Sequence, residues 1–162
     1  MSFTFDKENL QKSQEIIAKY PQERSKSAVM PLLDLAQRQN NNYISKEIIE
    51  YLSNLLDLPV IHIYEVASFY SMYNLEPVGK YLIQVCGTTP CMLCGSKKIT
   101  EVIKKHLKIE MNQTTKDKLF TLKEVECLGA CVNAPMIQIN DDYHEKLDDK
   151  KTLEILKELK KG

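Results

Sequence analysis

Residues 80–94, KYLIQVCGTTPCMLC, contain the pattern that decides the fold. Tyrosine, isoleucine and valine alternate with other residues over Lys80–Cys86, which is the two-residue period of a β-strand. The predicted strand ends on Cys86, and Cys91 and Cys94 follow it within eight residues. This stretch therefore predicts a strand that delivers thiols to the loop at its carboxyl end.

The residues after this stretch complete a thioredoxin-like pattern. They predict, in order, a helix, two strands, a short hairpin arm and a final helix over Ser96–Leu107, Leu119–Val125, Met136–Asn140, Tyr143–Leu147 and Lys150–Lys160. A strand, a helix and a second strand in succession favour a right-handed βαβ unit, which the hairpin and the last helix would close. The order β-α-β-β-α is that of a thioredoxin-like domain.

The residues before this domain predict a set of short helices. The predicted helices cover 7–19, a segment that starts near Ser25–Ser27 and is ended by the polar tract Gln37–Asn42, a segment that begins after Ser45 as N-cap, and part of Ile61–Tyr73. Every cysteine and every glycine lies after position 78. We expect an α/β (α+β) protein with a helical N-terminal bundle over residues 1–76 and a thioredoxin-like domain over residues 77–162. The helical part is short and thinly apolar, so we do not expect it to be a self-sufficient domain.

Charge and hydropathy exclude several classes of function. The 162 residues include 22 Lys+Arg and 22 Asp+Glu, and this zero net charge argues against a nucleic-acid partner. No apolar run approaches the ~20 residues that span a bilayer, so we expect no direct membrane insertion. The first residues form no apolar signal-peptide core, which predicts a cytoplasmic protein. Structural disulfides are rare in that compartment, so the five cysteines indicate metal or redox chemistry.

Four of the cysteines form two close pairs, Cys86-x4-Cys91 and Cys127-x3-Cys131. Each pair follows a predicted strand, and four thiolates suit either zinc or an iron–sulfur cluster. Glycines and small apolar residues flank both pairs, which favours the cluster because backbone N–H groups and a dry environment stabilise its negative charge. The flanking glycines are Gly87, Gly95 and Gly129.

The fifth cysteine, Cys94, leaves alternatives open. Cys86-x4-Cys91-x2-Cys94 matches the plant-type ferredoxin spacing, which would add either Cys127 or Cys131 as the fourth ligand. Cys91 and Cys94 also form a C-x-x-C motif before a helix, as in dithiol oxidoreductases. A zinc-stabilised interaction module is the third hypothesis. The two-pair scheme accounts for the most cysteines, since it leaves only Cys94 without a role.

Other cofactor motifs are missing from the sequence. The three histidines, His62, His106 and His144, lie outside the cysteine loops, so a Rieske-type centre is not predicted. The sequence contains neither a P-loop nor a Rossmann glycine fingerprint. We therefore do not expect this chain to bind a nucleotide itself.

Three stretches resemble one known family. They are Tyr64–Tyr73 (YEVASFYSMY), Asn74–Leu93 (NLEPVGKYLIQVCGTTPCML) and Thr114–Asn140 (TTKDKLFTLKEVECLGACVNAPMIQIN). The chain resembles the thioredoxin-like 2Fe-2S subunits of respiratory complex I, the family of the E subunits of NADH-quinone oxidoreductases. The sequence departs from the family at Lys116–Lys118, where a Pro-Asp-Gly turn is usual.

The resemblance implies the ligands and the cofactor. In the family, the two pairs bind one 2Fe-2S cluster, and these positions fall here on Cys86, Cys91, Cys127 and Cys131. The position of Cys94 is not a ligand in the family. The cluster exchanges single electrons with FMN on a flavoprotein subunit, which also binds NADH. This chain alone therefore has no complete active site.

The resemblance also implies an assembly. The partners are the flavoprotein subunit and other peripheral-arm subunits of complex I, an oxidoreductase that passes electrons to a quinone and pumps protons. The complex lies on the cytoplasmic face of the inner membrane. Equivalent subunits occur in NAD-linked hydrogenases and formate dehydrogenases, so either assembly is the alternative.

Overall fold

A computed structural model of the protein describes residues 3–161. Its contacts divide the chain into two compact units, Met1–Pro77 and Val78–Gly162. Within the described residues, no helix has the length and apolar character needed to cross a membrane.

The first unit is helical. A 3₁₀ segment, Gln22–Ala28, precedes the second of its four α-helices, which are α1 (Lys7–Ile17), α2 (Val29–Gln39), α3 (Lys46–Leu56) and α4 (Val60–Phe69). The Asp6 carboxylate accepts the Asn9 N–H and caps α1. Ser45 is the N-cap residue of α3, as predicted. Asp57 ends α3 in the left-handed conformation.

The helices of this unit enclose an apolar core. Apolar residues recur at helical spacing, so each helix turns one face inward. The largest fully buried side chains are Leu32, Leu33, Ile44, Ile48, Leu52 and Ile63. Near the N-terminus, the rings of Phe3 and Phe5 pack edge-on against Tyr51 of α3. The unit therefore has a set of fully buried residues of its own, and the expectation that it is not a self-sufficient domain stays a prediction.

The second unit is built on a four-stranded sheet. Its elements are β1 (Tyr81–Cys86), α5 (Thr89–Leu93), α6 (Ser96–Leu107), β2 (Phe120–Val125), β3 (Ile137–Ile139), β4 (Asp142–His144) and α7 (Asp149–Leu159). The strand order is β2-β1-β3-β4, in which β1 and β2 are parallel and the other two pairings are antiparallel. The predicted β-α-β-β-α order is confirmed, and the short helix α5 is an addition that the sequence did not predict.

The sheet and the helices α6 and α7 share one core. Ile83 of β1, Phe120 and Leu122 of β2, and Ile103 of α6 are fully buried. The central strand β1 pairs with β2 in the register Cys86↔Val125. Because parallel strands end at the same edge of a sheet, the loops after β1 and β2 leave the sheet side by side.

Candidate metal centre

The first cysteine pair lies at the carboxyl end of β1. Cys86 is the last residue of the strand, and the Gly87 N–H donates to the Val125 carbonyl, 3.0 Å away, at the end of β2. Cys91 lies in α5, five residues later. Both cysteines are only 1% exposed, and they pack with the buried Met136. The first pair is therefore held inside the protein by the sheet and by a short helix.

The second pair lies in the loop after β2. The Sγ atoms of Cys127 and Cys131 are 3.8 Å apart, and both residues are exposed. Two thiolates bound about 2.3 Å from one tetrahedral metal ion would lie about 3.8 Å apart. The Gly129 N–H points at the Cys127 sulfur, 3.3 Å away, and the positive φ of Gly129, 80°, is one that glycine adopts without strain. The spacing and the N–H donor both fit a metal-bound thiolate.

The thiols lie close enough to change each other's acidity. Burial raises the pKa of the Cys91 thiol to about 11, and the hydrogen bond with Cys86 and the charge of that thiol act in the same direction. The hydrogen bond with Cys127 and its charge raise the pKa of Cys131. Thiolates held together repel each other, so a set of four needs a cationic centre to stay ionised.

Cys86 shows the opposite shift. Burial by itself would raise its pKa, but hydrogen bonds with the Thr88 hydroxyl and with the backbone of Thr88 and Leu128 outweigh it, so the pKa is lowered. Thr88 Oγ1 lies 3.2 Å from Cys86 Sγ. These donors stabilise negative charge on the sulfur of a buried residue, which is what a thiolate ligand requires.

The cysteines associate two by two. Cys86 interacts directly with Cys91, and Cys127 contacts Cys131, while the charge of Cys131 also acts on Cys91. Among residues 3–161, no group of three or more His, Cys, Asp or Glu side chains is arranged to hold one metal ion. The described contacts therefore group four of the cysteines as two pairs.

Cys94 is placed differently from the other four. It is exposed at the C-terminal end of α5, where its N–H donates to the Pro90 carbonyl, 3.1 Å away. Among the described sulfur contacts, none joins Cys94 to another cysteine. The three histidines also lie outside the two cysteine loops. His62 lies on α4, His106 on α6 and His144 on β4.

Two side chains at the site were not singled out from the sequence. Thr88 contacts the Cys86 sulfur, and Met136 is buried against the first pair. A hydroxyl two residues after a ligand cysteine is a signal that could have identified Thr88. Met136 carried no such signal, because a single apolar residue at the start of a predicted strand is ordinary core composition.

Large apolar side chains surround the site at the surface. Leu93 of α5 is 83% exposed, and Val132, which follows Cys131, is 96% exposed. Met92 and Tyr143 are also exposed, and the Tyr143 hydroxyl donates to the Leu128 carbonyl, 2.7 Å away. We call Met92, Leu93 and Val132 the apolar rim. Exposed apolar residues around one site are typical of a surface that another protein covers.

Comparison with protein families places the chain in a class. The family described as thioredoxin-like [2Fe-2S] ferredoxin matches residues 13–160. This match includes all five cysteines and most of both structural units.

Sequence identity to individual proteins identifies the family within this class. The chain is 54% identical over 157 residues to the E subunit of NADH-quinone oxidoreductase from Rickettsia prowazekii, covering 97% of this chain and 89% of that protein. It is 50% identical over 158 residues to the mitochondrial NADH dehydrogenase [ubiquinone] flavoprotein 2 of Dictyostelium discoideum, covering 98% of this chain and 64% of that protein. The chain therefore belongs to the thioredoxin-like [2Fe-2S] ferredoxins and, among them, to the family of the E subunits of NADH-quinone oxidoreductases.

A solved structure shares the fold. A chain of an NAD+-reducing [NiFe]-hydrogenase in the air-oxidized state matches with a TM-score of 0.69 over 79% of this chain and 22% of that chain, at 22% identity. This likeness supports the fold alone. Membership of the [2Fe-2S] family confirms the resemblance inferred from the sequence, and it favours an iron–sulfur cluster over the zinc and dithiol hypotheses.

Proposed function

We propose that this chain exchanges single electrons between its own 2Fe-2S cluster and FMN on a partner subunit that oxidises NADH, as part of respiratory complex I. The observation that carries the proposal is the placement of the two cysteine pairs: one is buried at the end of β1 and one is exposed in the loop after β2. The names of the relatives at 50–54% identity support the same assembly.

We assign the cluster ligands to Cys86, Cys91, Cys127 and Cys131. The 3.8 Å sulfur spacing of the second pair and the N–H and hydroxyl donors at Cys127 and Cys86 support this assignment. A bound 2Fe-2S cluster supplies a one-electron couple, while the protein sets its ligands, hydrogen bonds and exposure to water. Cys94 is assigned no ligand role.

The two cysteine pairs would have different roles, because the first is buried and the second is exposed. The first pair packs with the buried Met136 and with partly buried Leu128, Ala130 and Ala134, which keep water from that side. The second pair is exposed, so a partner can approach its sulfurs closely. This asymmetry supports a site that is anchored on one side and that exchanges electrons on the other.

A flavoprotein is the partner that the chemistry requires. NADH donates two electrons as a hydride, whereas a 2Fe-2S couple accepts one, so a flavin must separate the pair. The sequence contains no nucleotide-binding motif that would place the flavin on this chain. We therefore propose that the apolar rim and the exposed pair face the FMN- and NADH-binding subunit. Other peripheral-arm subunits complete the assembly on the cytoplasmic face of the inner membrane.

The equivalent subunit of an NAD-linked hydrogenase is the second candidate. It follows from the resemblance stated for the sequence, and a chain of the NAD+-reducing [NiFe]-hydrogenase shares the fold. Sequence identity favours the complex I candidate over the hydrogenase candidate, since the hydrogenase chain is 22% identical to this chain and the Rickettsia relative is 54% identical. We therefore prefer the complex I assembly.

Electron exchange through the flavoprotein can be tested in the reverse direction, from the reduced cluster to NAD+. The cluster is reduced in the chain alone and in its complex with the flavoprotein, the excess reductant is removed, and NAD+ is added without oxygen. We expect the visible absorbance of the oxidised cluster to return only in the complex. Equal reoxidation of the isolated chain, or none in the complex, would contradict the proposed function. A complex with Cys131→Ser is the control without an intact cluster.

A further inference from the structure

Thr88 uses its hydroxyl in an unusual way for its position. It is the N-cap residue of α5, with extended backbone angles (φ −78°, ψ 164°), but its side chain makes no capping hydrogen bond. The hydroxyl oxygen of a threonine at this position ordinarily accepts a hydrogen bond from an N–H in the first turn of the helix. Here Oγ1 instead lies 3.2 Å from the Sγ of Cys86. The hydroxyl is therefore committed to the sulfur and not to the helix.

The backbone holds this hydroxyl in place. The Thr88 carbonyl accepts the Met92 N–H, 2.9 Å away, in the first turn of α5. On the other side, Gly87 is tied to the end of β2 through its N–H bond to Val125. Because the residue before Thr88 and the helix after it are both anchored, the contact with the buried Cys86 is set by the fold.

The direction of the hydrogen bond follows from the ligand role of Cys86. A free thiol could donate or accept, but a metal-bound thiolate has no proton and can only accept. The Thr88 Oγ1–H must then donate to the Cys86 sulfur. A donor to a ligand sulfur stabilises the more negative state of a cluster more than the less negative one, because the sulfur carries more charge after reduction.

We propose that Thr88 is a positioning residue for the cluster. Its hydroxyl donates a hydrogen bond to the Cys86 ligand and thereby raises the reduction potential of the cluster. The inference rests on the proposed ligand role of Cys86. One electron enters the cluster on reduction, no covalent bond forms or breaks at Thr88, and the hydroxyl keeps its proton in both states. Loss of the hydroxyl makes the midpoint potential more negative.

The experiment compares three variants in the full chain that carries its cluster. Thr88→Val keeps the shape of the side chain and removes the donor, whereas Thr88→Ser restores the donor. Thr89→Val is the matched control, because Thr89 is the exposed neighbour that begins α5. Iron and sulfide are measured first, and the midpoint potential is then titrated by visible absorbance and by electron paramagnetic resonance of the reduced cluster.

For Thr88→Val we expect the equilibrium constant for reduction to fall roughly fivefold to tenfold, which is about 40 to 59 mV for a one-electron couple. Thr88→Ser and Thr89→Val should keep the wild-type potential. An exchangeable proton coupled to the reduced cluster in Thr88→Ser should be absent from Thr88→Val.

Three results would overturn the proposal. The first is an unchanged potential in Thr88→Val, and the second is an equal shift in Thr89→Val. The third is loss of the cluster in Thr88→Val but not in Thr89→Val, which would give the hydroxyl a role in assembly and not in the potential. The reoxidation experiment with the flavoprotein does not depend on Thr88, so failure of the proposed function would be seen separately.

Discussion

Lys118 adopts a backbone conformation that disfavours its own side chain. Its φ is 56°, in the left-handed region, where a residue with a Cβ is destabilised and glycine is not. The Lys118 N–H donates to the Thr115 carbonyl, 2.8 Å away, and the Asp117 carboxylate accepts the Leu119 N–H, 3.0 Å away, so the turn is well formed despite the strain. This is the turn in which the resemblance to the family implies Pro-Asp-Gly in place of Lys116–Lys118.

Lys118→Gly should therefore stabilise the protein. We expect the free energy of unfolding to rise by about 1 kcal/mol, because glycine removes the cost of the left-handed conformation. Urea denaturation followed by circular dichroism measures the change. Lys116→Gly, two residues earlier in the turn, is the control and should lower the free energy of unfolding, since glycine there only adds entropy to the unfolded chain. A loss of stability in Lys118→Gly would contradict this account of the turn.

The ligand assignment makes opposite predictions for two cysteines. Cys131→Ser should lose or badly disturb the cluster, because serine oxygen is a harder ligand than thiolate and binds iron–sulfur centres poorly. Cys94→Ser should keep the cluster, since Cys94 is exposed at the end of α5 and belongs to neither pair. Visible absorbance with iron and sulfide content measures both. The assignment is wrong if the spectrum survives Cys131→Ser and disappears in Cys94→Ser.

The pairing of the cysteines was predictable, because it depends on residue type and spacing. Cys86, Cys91, Cys127 and Cys131 stand out as two pairs beside glycines, and these features are visible in the sequence alone. The position of Thr88, two residues after Cys86, is a signal in the sequence, but threonine at a helix N-terminus ordinarily caps the helix, so the sequence alone does not decide between the sulfur and the helix as its partner. Its choice of partner depends on the path of the loop between Cys86 and α5.

At the scale of elements, two glycines of the sheet differ in what surrounds them. A Cβ on Gly79, which precedes β1, would lie 2.8 Å from the backbone carbon of Phe120 and 2.9 Å from that of Leu119. For a Cβ on Gly87, at the other end of β1, the three nearest atoms all belong to the side chain of Glu124, at 2.7 to 2.9 Å. The Gly79 N–H also donates to Thr121 Oγ1, 2.6 Å away. The exposed Glu124 side chain can rotate away from an added Cβ, whereas the backbone of Leu119 and Phe120 cannot.

Gly79→Ala should therefore destabilise the second unit more than Gly87→Ala. For Gly79→Ala we expect a loss of about 1 to 3 kcal/mol, the range for overpacking, as β1 is pushed away from β2. For Gly87→Ala we expect a smaller loss, because Glu124 can rotate into solvent. The midpoints of urea denaturation compare the two variants. Equal losses would show that contact with the β2 backbone is not the cause.

Element prediction succeeded where the apolar period was long. Helix α6 was predicted over Ser96–Leu107 and is observed there, because its apolar residues follow helical spacing for three turns. Helix α5 was not predicted, since its five residues contain Pro90 and are too few to show a period. Strand β3 is shorter than predicted, at Ile137–Ile139, because only those residues pair with β1.

At the scale of the whole molecule, one helix of the helical unit, α4, exposes large apolar side chains that do not pack into the core of that unit. Helix α4 is apolar on most of its faces, but only Ile63 and Ala67 are buried. Ile61 is exposed, and Phe69 at the end of the helix is 80% exposed. Such a helix is usually covered by other protein. We propose that this face of α4 helps to hold the flavoprotein.

Ile61→Asp with Phe69→Asp should weaken the complex without disturbing the cluster. A charge in an apolar interface should lower the affinity for the flavoprotein by about tenfold or more. Leu10→Asp, an exposed apolar site on α1, is the control. Removal of residues 1–40 would be a poor test, because it deletes the buried Leu32 and Leu33 of α2. Full co-purification and salt resistance of the double variant would refute the holding role.

The central claim is that the two cysteine pairs hold one 2Fe-2S cluster. The most direct test is to measure iron, acid-labile sulfide and zinc in the purified full-length chain. We expect about two iron atoms and about two sulfides per chain, with visible absorbance and negligible zinc. Stoichiometric zinc without sulfide, in a colourless protein, would contradict the claim.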